Sequence, residues 1–386
     1  MQLEEWIRRL LISSTFTQAT IYVIRPFITY RAIEIGASAF EIGLIGALYA
    51  LFPILLALKF GRLVSKFGES KFIVFGNVSM IVTSVFFLFV HNLYLLILAT
   101  AMAGLSHLAL MVGGQTMVAL RAEASDYNKL FGYYTFSASL GHSFGPIIAG
   151  LLAGSLANGL PSQSNKAFIF AVLLSSLALI PTFKWRKNQP ILEITSEQSS
   201  TWVSAKNMLS RKEISLSIFI SLAVATTIDL LVIFLPLLGK ERMIAPSFIG
   251  LIISLRAIGS MGSRLLLGKV SKYISDKTLI MSTISITALA CVGMVYFQSP
   301  RVLALLVFIA GFMSGFGQPI TMSLISKATD EKDRALAVSA RLTGNRLGQF
   351  FLPILAGLLA TGAGVGAVFW AMAGLLSLGL LAARSD

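Results

Sequence analysis

Long apolar runs broken by short polar intervals set the plan of this chain. Runs near 20 residues, the length a helix needs to cross a hydrocarbon core of about 30 Å, occupy roughly 8–31, 39–60, 71–90, 93–118, 129–155 and 166–183. Six more occupy roughly 213–238, 247–268, 277–297, 301–327, 334–360 and 364–383. The pattern predicts an all-α integral membrane protein of about twelve transmembrane helices. Residues 184–212 form the longest polar interval, basic at both ends. They divide the chain into an N-terminal six-helix bundle (1–183), a linker (184–212) and a C-terminal six-helix bundle (213–386). Within the linker, Trp202, Val203, Ala205, Met208 and Leu209 suit a helix lying on a membrane surface, with Lys206 and Arg211 toward phosphates. Residues 1–10, which mix Trp6, Ile7 and Leu10 with charges, suit a short interfacial helix leading into the first span.

The runs also repeat. The stretch Gly141–Gly150, G-H-S-F-G-P-I-I-A-G, returns 207 residues later: Gly141, Pro146 and Gly150 fall on Gly348, Pro353 and Gly357, and His142 falls on Gln349. Upstream, Gly43-Leu44-Ile45 falls on Gly250-Leu251-Ile252, Gly104 on Gly311 and Asp126 on Asp333. That period is far too long for a solenoid, so it implies duplication of a whole bundle into two pseudo-symmetric halves. Small residues at every fourth position, Gly141, Gly145 and Ala149, let helix backbones approach closely, and Pro146 bends its helix.

Composition narrows the class further. With 56% hydrophobic and 12% charged residues and a mean hydropathy of +0.81, the chain has too little polar surface for a soluble globule. A net charge of +14 would suggest nucleic acid in a soluble protein, but here the basic residues cluster in alternate loops. Arg62, Lys66, Lys71, Lys184, Arg186, Lys187, Arg211, Lys212, Lys269, Lys272, Lys277, Lys327, Lys332 and Arg334 fall on one side; Arg31, Lys166, Lys240, Arg242 and Arg301 fall on the other. The positive-inside rule therefore places both termini and the linker in the cytosol, with anionic membrane lipids as the partner of the basic loops and no nucleic acid. Cys291, the one cysteine, lies within a predicted helix, so no disulfide or thiol metal site is expected. The first apolar run is expected to stay as a span, because removing it as a signal peptide would spoil the loop-charge pattern. No nucleotide-binding loop, no H-E-x-x-H and no carboxylate cluster within the spans is present, so neither an enzyme nor an ATP-driven pump is expected, and no cofactor.

Charged residues at membrane depth are costly and mark candidate sites. They are Arg25, Asp229, Arg256, Arg341 and Arg346, with Gln18, His107, Gln115, His142, Gln318, Asn345 and Gln349 as neutral companions. Asp229 is the one carboxylate deep within a predicted span. At about 1.5 Å per residue, Asp229 and Arg25 lie about 24 and 25 Å from the cytoplasmic edge and Arg256 about 17 Å. Pairing with either arginine would hold Asp229 ionised, and loss of the pair would favour its protonation. His107 and His142 are separated by roughly 10 Å along the membrane normal on this reckoning, so no metal pair is expected. Four arginines, Arg25, Arg256, Arg341 and Arg346, face one acid, which makes an anionic substrate as reasonable as a cationic one. Arg341 also reads as lying near the inner end and reaching lipid phosphates or the other half. Gln18, Gln115, Gln318 and Arg346 complete the candidate cavity lining.

The loop Gly61-Arg62-Leu63-Val64-Ser65-Lys66-Phe67-Gly68 carries a resemblance. The chain resembles the major facilitator superfamily over essentially its whole length, and Gly61, Leu63, Lys66 and Gly68 fit that family's G-x-L-a-D-r-x-G-r-r turn, read here as a tight gating loop. Ser65 stands where the family carries an acid. The stretch Gly141, Gly145, Pro146, Gly150 resembles its antiporter signature, with Ala149 in place of one glycine. Thr100 stands where many proton-driven exporters of the family carry an arginine, four residues before the glycine matching Gly104. In the family, helices 1 and 7 face each other across the central cavity, which implies an Arg25–Asp229 latch near the outer side, with Arg256 as the rival partner.

The resemblance implies a secondary active transporter that moves a small organic molecule by alternating access, with protons as coupling partner and export as direction. It is expected as a monomer in the plasma (bacterial inner) membrane. Uptake symport or uniport of a small organic anion is the alternative; a non-transporting membrane sensor would be a different class.

Overall fold

The computed structural model describes residues 4–122, 126–184, 212–329 and 334–384. The linker 185–211, and with it the surface helix expected around Trp202, lies outside the described residues. Twelve long helices and no strand occur among those described: α1 (Glu5–Glu34), α2 (Ala39–Phe67), α3 (Glu69–Phe86), α4 (Leu93–Arg121), α5 (Tyr127–Ala153), α6 (Ser164–Leu179), α7 (Lys212–Glu241), α8 (Pro246–Val270), α9 (Asp276–Tyr296), α10 (Pro300–Ala328), α11 (Arg334–Ala363) and α12 (Gly366–Arg384). The starts of α2, α3 and α4 at 39, 69 and 93 recur at 246, 276 and 300, an offset of 207 each time. The odd-numbered helices start at one end of the bundle, called basal below, and run to the distal end.

Local chemistry explains several of these starts. Ser38 and Glu41 form a capping box at the start of α2, Asn92 caps α4 through the Leu95 amide, and Ser275 caps α9. Pro246 and Pro300 occupy first-turn positions of α8 and α10, where a missing N–H leaves nothing unpaired. Two distal arginines tie equivalent turns. Arg31 donates to the Val90 carbonyl at 2.7 Å and Arg242 to the Phe297 carbonyl at 3.0 Å, and 90 and 297 are again 207 apart.

Ten helices are long and apolar enough to cross a membrane, and α12 contributes a shorter apolar stretch, Gly366–Ala382. The remaining one, α1, reads as too polar because its inward faces carry Ser13, Ser14, Thr17, Gln18, Thr20 and Thr29, all buried. Protein, not lipid, surrounds it: α1 packs on α4, α5 and α6 of its own half and on α7 of the other. It is also one continuous helix from Glu5, with Ile7 and Leu10 buried. The expected separate interfacial segment is therefore absorbed into α1.

The two halves meet along α2–α11, α5–α8 and α1–α7. Glycine makes the first two seams possible. A Cβ on Gly43 would sit 2.2 Å from the Pro353 carbonyl oxygen, and one on Gly250 would sit 2.3 Å from the Pro146 carbonyl oxygen. Gly357 lies against Ala39 and Gly43, and Gly150 against Pro246 and Ser247. These are the same contact made twice, both toward the distal end. By contrast, Gly141 and Gly145 face the α1 backbone within their own half, with Cβ positions 2.3 Å from Thr15 O and 2.7 Å from Ala19 O. The small-residue stripe of α5 thus serves two partner helices, one at each end of its motif. Gly348 likewise meets side chains of its own half, Thr226 and Leu222 of α7.

Candidate functional site

The centre of the bundle holds the deep charges. Arg25 of α1 donates to Asp229 of α7 at 2.5 Å, with both side chains largely buried at 13% and 10% exposure. One turn distal, the Thr29 hydroxyl donates to the Ile233 carbonyl at 2.9 Å, so α1 and α7 are joined in parallel near that end. A small cavity lies beside the pair, lined by Arg25, Thr29, Tyr49, Thr100 and Ile233 among others.

From Arg25 a polar chain descends through the first half. The guanidinium lies 5.2 Å from the Tyr49 ring centroid, an attractive cation–π distance. Tyr49 Oη is 2.9 Å from His107 Nδ1; His107 Nε2 is 3.4 Å from Gln18 Nε2; Gln18 Oε1 is 2.9 Å from His142 Nε2. Donor–acceptor complementarity orders the protons. His142 Nε2–H donates to the Gln18 oxygen, the Gln18 amide donates to His107 Nε2, and His107 Nδ1–H donates to the Tyr49 oxygen. His142 then stacks on Tyr22, with centroids 3.7 Å apart and planes at 24°. By the helix bounds His107 lies 14 residues from the basal end of α4 and His142 15 from that of α5. The two therefore stand at nearly one depth, not the roughly 10 Å apart expected from the run ends, and the Gln18 amide touches both.

A second group of arginines makes no ion pair among the described residues. Arg256 of α8 is 3% exposed; it donates to the Tyr22 hydroxyl at 3.2 Å and lies over the same ring at 5.5 Å. Its Nε has no hydrogen-bond acceptor. Two turns nearer the basal end, Arg264 is exposed and donates to Ser139 of α5 across the seam at 3.4 Å. Arg346 of α11 donates only to Gln349 on its own helix, at 2.8 Å. Arg341 is buried among neutral oxygens, with Ser221 at 3.1 Å, Gln318 Oε1 at 3.0 Å and Thr321 at 3.3 Å, so its expected reach to lipid phosphates at the inner end is not what the fold provides. Among the described residues no salt bridge involves any of these four arginines.

A family model for the Major Facilitator Superfamily matches residues 10–243 and again 214–385. The chain belongs to this superfamily. It is 25% identical over 336 residues to a "Multi-drug resistance efflux pump PmrA homolog" of Lactococcus lactis subsp. lactis (strain IL1403), covering 85% of this chain and 80% of that one. It is 23% identical to the "Quinolone resistance protein NorA" of Staphylococcus aureus (strain MSSA476), covering 88% and 86%. Among solved structures, a mutant form of the nucleoside transporter NupG superposes with a TM-score of 0.83 at 15% identity over 98% of this chain and 99% of that one. The human organic anion transporter MFSD10 superposes with a TM-score of 0.67 at 14% identity over 99% and 100%. These likenesses carry the fold: a multi-pass membrane transporter of two six-helix halves.

With the superfamily established, the other expected positions can be placed. The turn expected at Gly61–Gly68 is helical almost throughout. Gly61, Arg62, Ser65 and Lys66 belong to α2, and Gly68 alone makes the turn, with φ at 89°. The side chains of Arg62 and Ser65 lie outside the described residues. A buried pair stands at this end instead: Arg121 of α4 donates through Nε and Nη2 to Glu69 Oε1 of α3 at 3.0 and 2.5 Å, and to Ser70 at 2.9 Å. Gln115 is exposed and Gln318 serves Arg341, so neither joins the Arg25 cluster. Tyr22, Tyr49, Arg264, Glu69 and its pairing with Arg121 were missed from sequence. For the two tyrosines the repeat held a signal, because Tyr22 and Tyr49 occupy the positions of Asp229 and Arg256.

Proposed function

We propose that this chain is a proton-coupled exporter of a small organic molecule, with residues 1–183 and 213–386 rocking as two bodies about the glycine seams and 184–212 tethering them. The observation that carries the reading is the Arg25–Asp229 pair, which joins the halves at the closed distal end and uses the one carboxylate deep in the described helices. In the distal-open state Asp229 faces the distal compartment without its partner and takes up a proton. Closure brings Arg25 back to the carboxylate, and the proton leaves toward the basal side. The drug-efflux names of the curated relatives support export, and the basic basal loops support cytoplasmic termini in a plasma membrane.

The test is proton flux. In inside-out vesicles holding an imposed pH gradient, a panel of norfloxacin, tetracycline, ethidium and 2-naphthoate is added while a fluorescent dye reports the gradient. At least one compound is expected to dissipate the gradient with the natural chain and not with Asp229→Asn. Accumulation of every transported compound at the same rate with and without a gradient would overturn the proposal.

A further inference from the structure

We infer that Arg256 and Arg264 form the binding site for the carboxylate of an aromatic organic acid, and that such acids are the transported class. The inference rests on the transporter reading above. Its first support is charge. Asp229 is committed to Arg25, and the other acids that the described helices contribute lie at or near helix ends: Glu5, Glu34, Glu41, Glu69, Glu213, Glu241 and Asp276. Arg256 therefore sits at 3% exposure with only a neutral hydroxyl and a ring for partners and with Nε unbonded. A buried guanidinium in that state is costly, and a carboxylate accepting from its fork relieves the cost.

The second support is shape. Arg256 and Arg264 lie eight residues, about two turns, apart on α8, and both turn toward the first half, Arg256 to Tyr22 and Arg264 to Ser139. One group is exposed on the basal side and the other is buried above it, so the two form a graded positive path into the bundle, which concentrates anions. Beside Arg256 the buried Tyr22 ring stacks on the partly exposed His142 ring, which gives a planar aromatic body an aromatic neighbour. The seam between α5 and α8 runs through this site, since Arg264 bonds Ser139 across it. An anion held there touches both halves and can bias their rocking.

The experiment is equilibrium binding to the purified full chain in a neutral detergent, read as melting temperature, with 2-naphthoate, the uncharged 2-naphthamide and the lipophilic cation tetraphenylphosphonium as probes. Naphthoate is expected to raise the melting temperature saturably and naphthamide to leave it unchanged. Arg256→Gln is expected to remove the naphthoate response while melting, without ligand, at or above the natural chain, because a buried unpaired charge is gone. Arg256→Lys keeps charge without the fork and is expected to bind about tenfold more weakly; Arg264→Gln likewise weakens binding. Equal stabilisation by naphthoate and naphthamide, stabilisation by tetraphenylphosphonium alone, displacement of naphthoate by phosphatidylglycerol with no naphthoate flux in vesicles, or unaltered naphthoate binding in both Arg256 variants would overturn the assignment. Binding in detergent needs no proton gradient, so failure here leaves proton-coupled export standing, and failure of proton coupling leaves the anion site standing.

Discussion

Position by position, the offset of 207 sets Tyr22 against Asp229, Tyr49 against Arg256, Tyr134 against Arg341, Ser139 against Arg346 and His142 against Gln349. The same offset sets Gly43 against Gly250, Pro146 against Pro353 and Gly150 against Gly357, and there the two copies make one contact twice. Apart from Arg25, the interior of the first half is neutral and hydrogen-bonded; the interior of the second carries Asp229, Arg256, Arg341 and Arg346. Duplication thus kept the backbone contacts that join the halves and let the polar lining diverge. The physical reason is the asymmetry of constraint. A side chain at 2.2 Å from a carbonyl oxygen cannot exist without moving a helix, whereas an interior polar position tolerates any residue that finds a partner.

The largest expected effect comes from breaking the seam. Gly43→Leu or Gly250→Leu forces α2 from α11 or α8 from α5, and either is expected to abolish transport in vesicles; because the contacts are copies, the two variants should fail alike. Next comes the ion pair. Asp229→Asn leaves Arg25 buried without a counter-charge, and loss of one partner of a buried pair costs on the order of 3–5 kcal/mol, visible as a lower melting temperature together with loss of proton-driven flux. The double variant Arg25→Met with Asp229→Leu is expected to recover the stability and not the coupling, which separates the two roles. Interrupting the neutral chain is milder. His107→Leu removes the acceptor of the Gln18 amide and the donor to Tyr49. It is expected to lower the melting temperature by the cost of leaving buried polar groups unpaired, about 1–3 kcal/mol, with proton-driven flux retained. The smallest effect is a control in open space: Gly374→Ala meets no atom within 4 Å and is expected to leave transport unchanged and to stabilise α12 by about 0.5–1 kcal/mol.

Much of this fold was legible because lipid enforces a simple rule. Apolar runs of spanning length, and glycines and prolines recurring at 207, located the helices and the halves. Where legibility failed, the reasons were local. The α2 helix runs on to Phe67 because Arg62, Lys66 and their neighbours are compatible with helix as well as loop, and only Gly68 requires the left-handed region. The site was harder, since depth counted from the end of an apolar run inherits the error of that end. Gln18 joins His107 to His142 because all three stand near the middle of their helices, which the approximate ends of the apolar runs did not resolve. Arg264 escaped notice because it lies only six residues from the end of α8, where a cation is ordinary. The absence of the family's arginine at Thr100 finds an explanation in three dimensions: Arg25 and Thr100 line one cavity, so α1 delivers to that space the charge that α4 lacks.

The central claim, that Asp229 ties the state of the distal end to protonation, can be tested without knowing the substrate. With Cys291 replaced by serine, spin labels at Asn158 and Ser299 span the distal loops of the two halves, and labels at Lys66 and Tyr273 span the basal ones. Pulsed electron–electron double resonance across a pH series should show the distal distance lengthening and the basal distance shortening as pH falls, because protonation of Asp229 dissolves its pair with Arg25. In Asp229→Asn both distributions should be independent of pH. The same pH-driven shift in Asp229→Asn as in the natural residue would contradict the account.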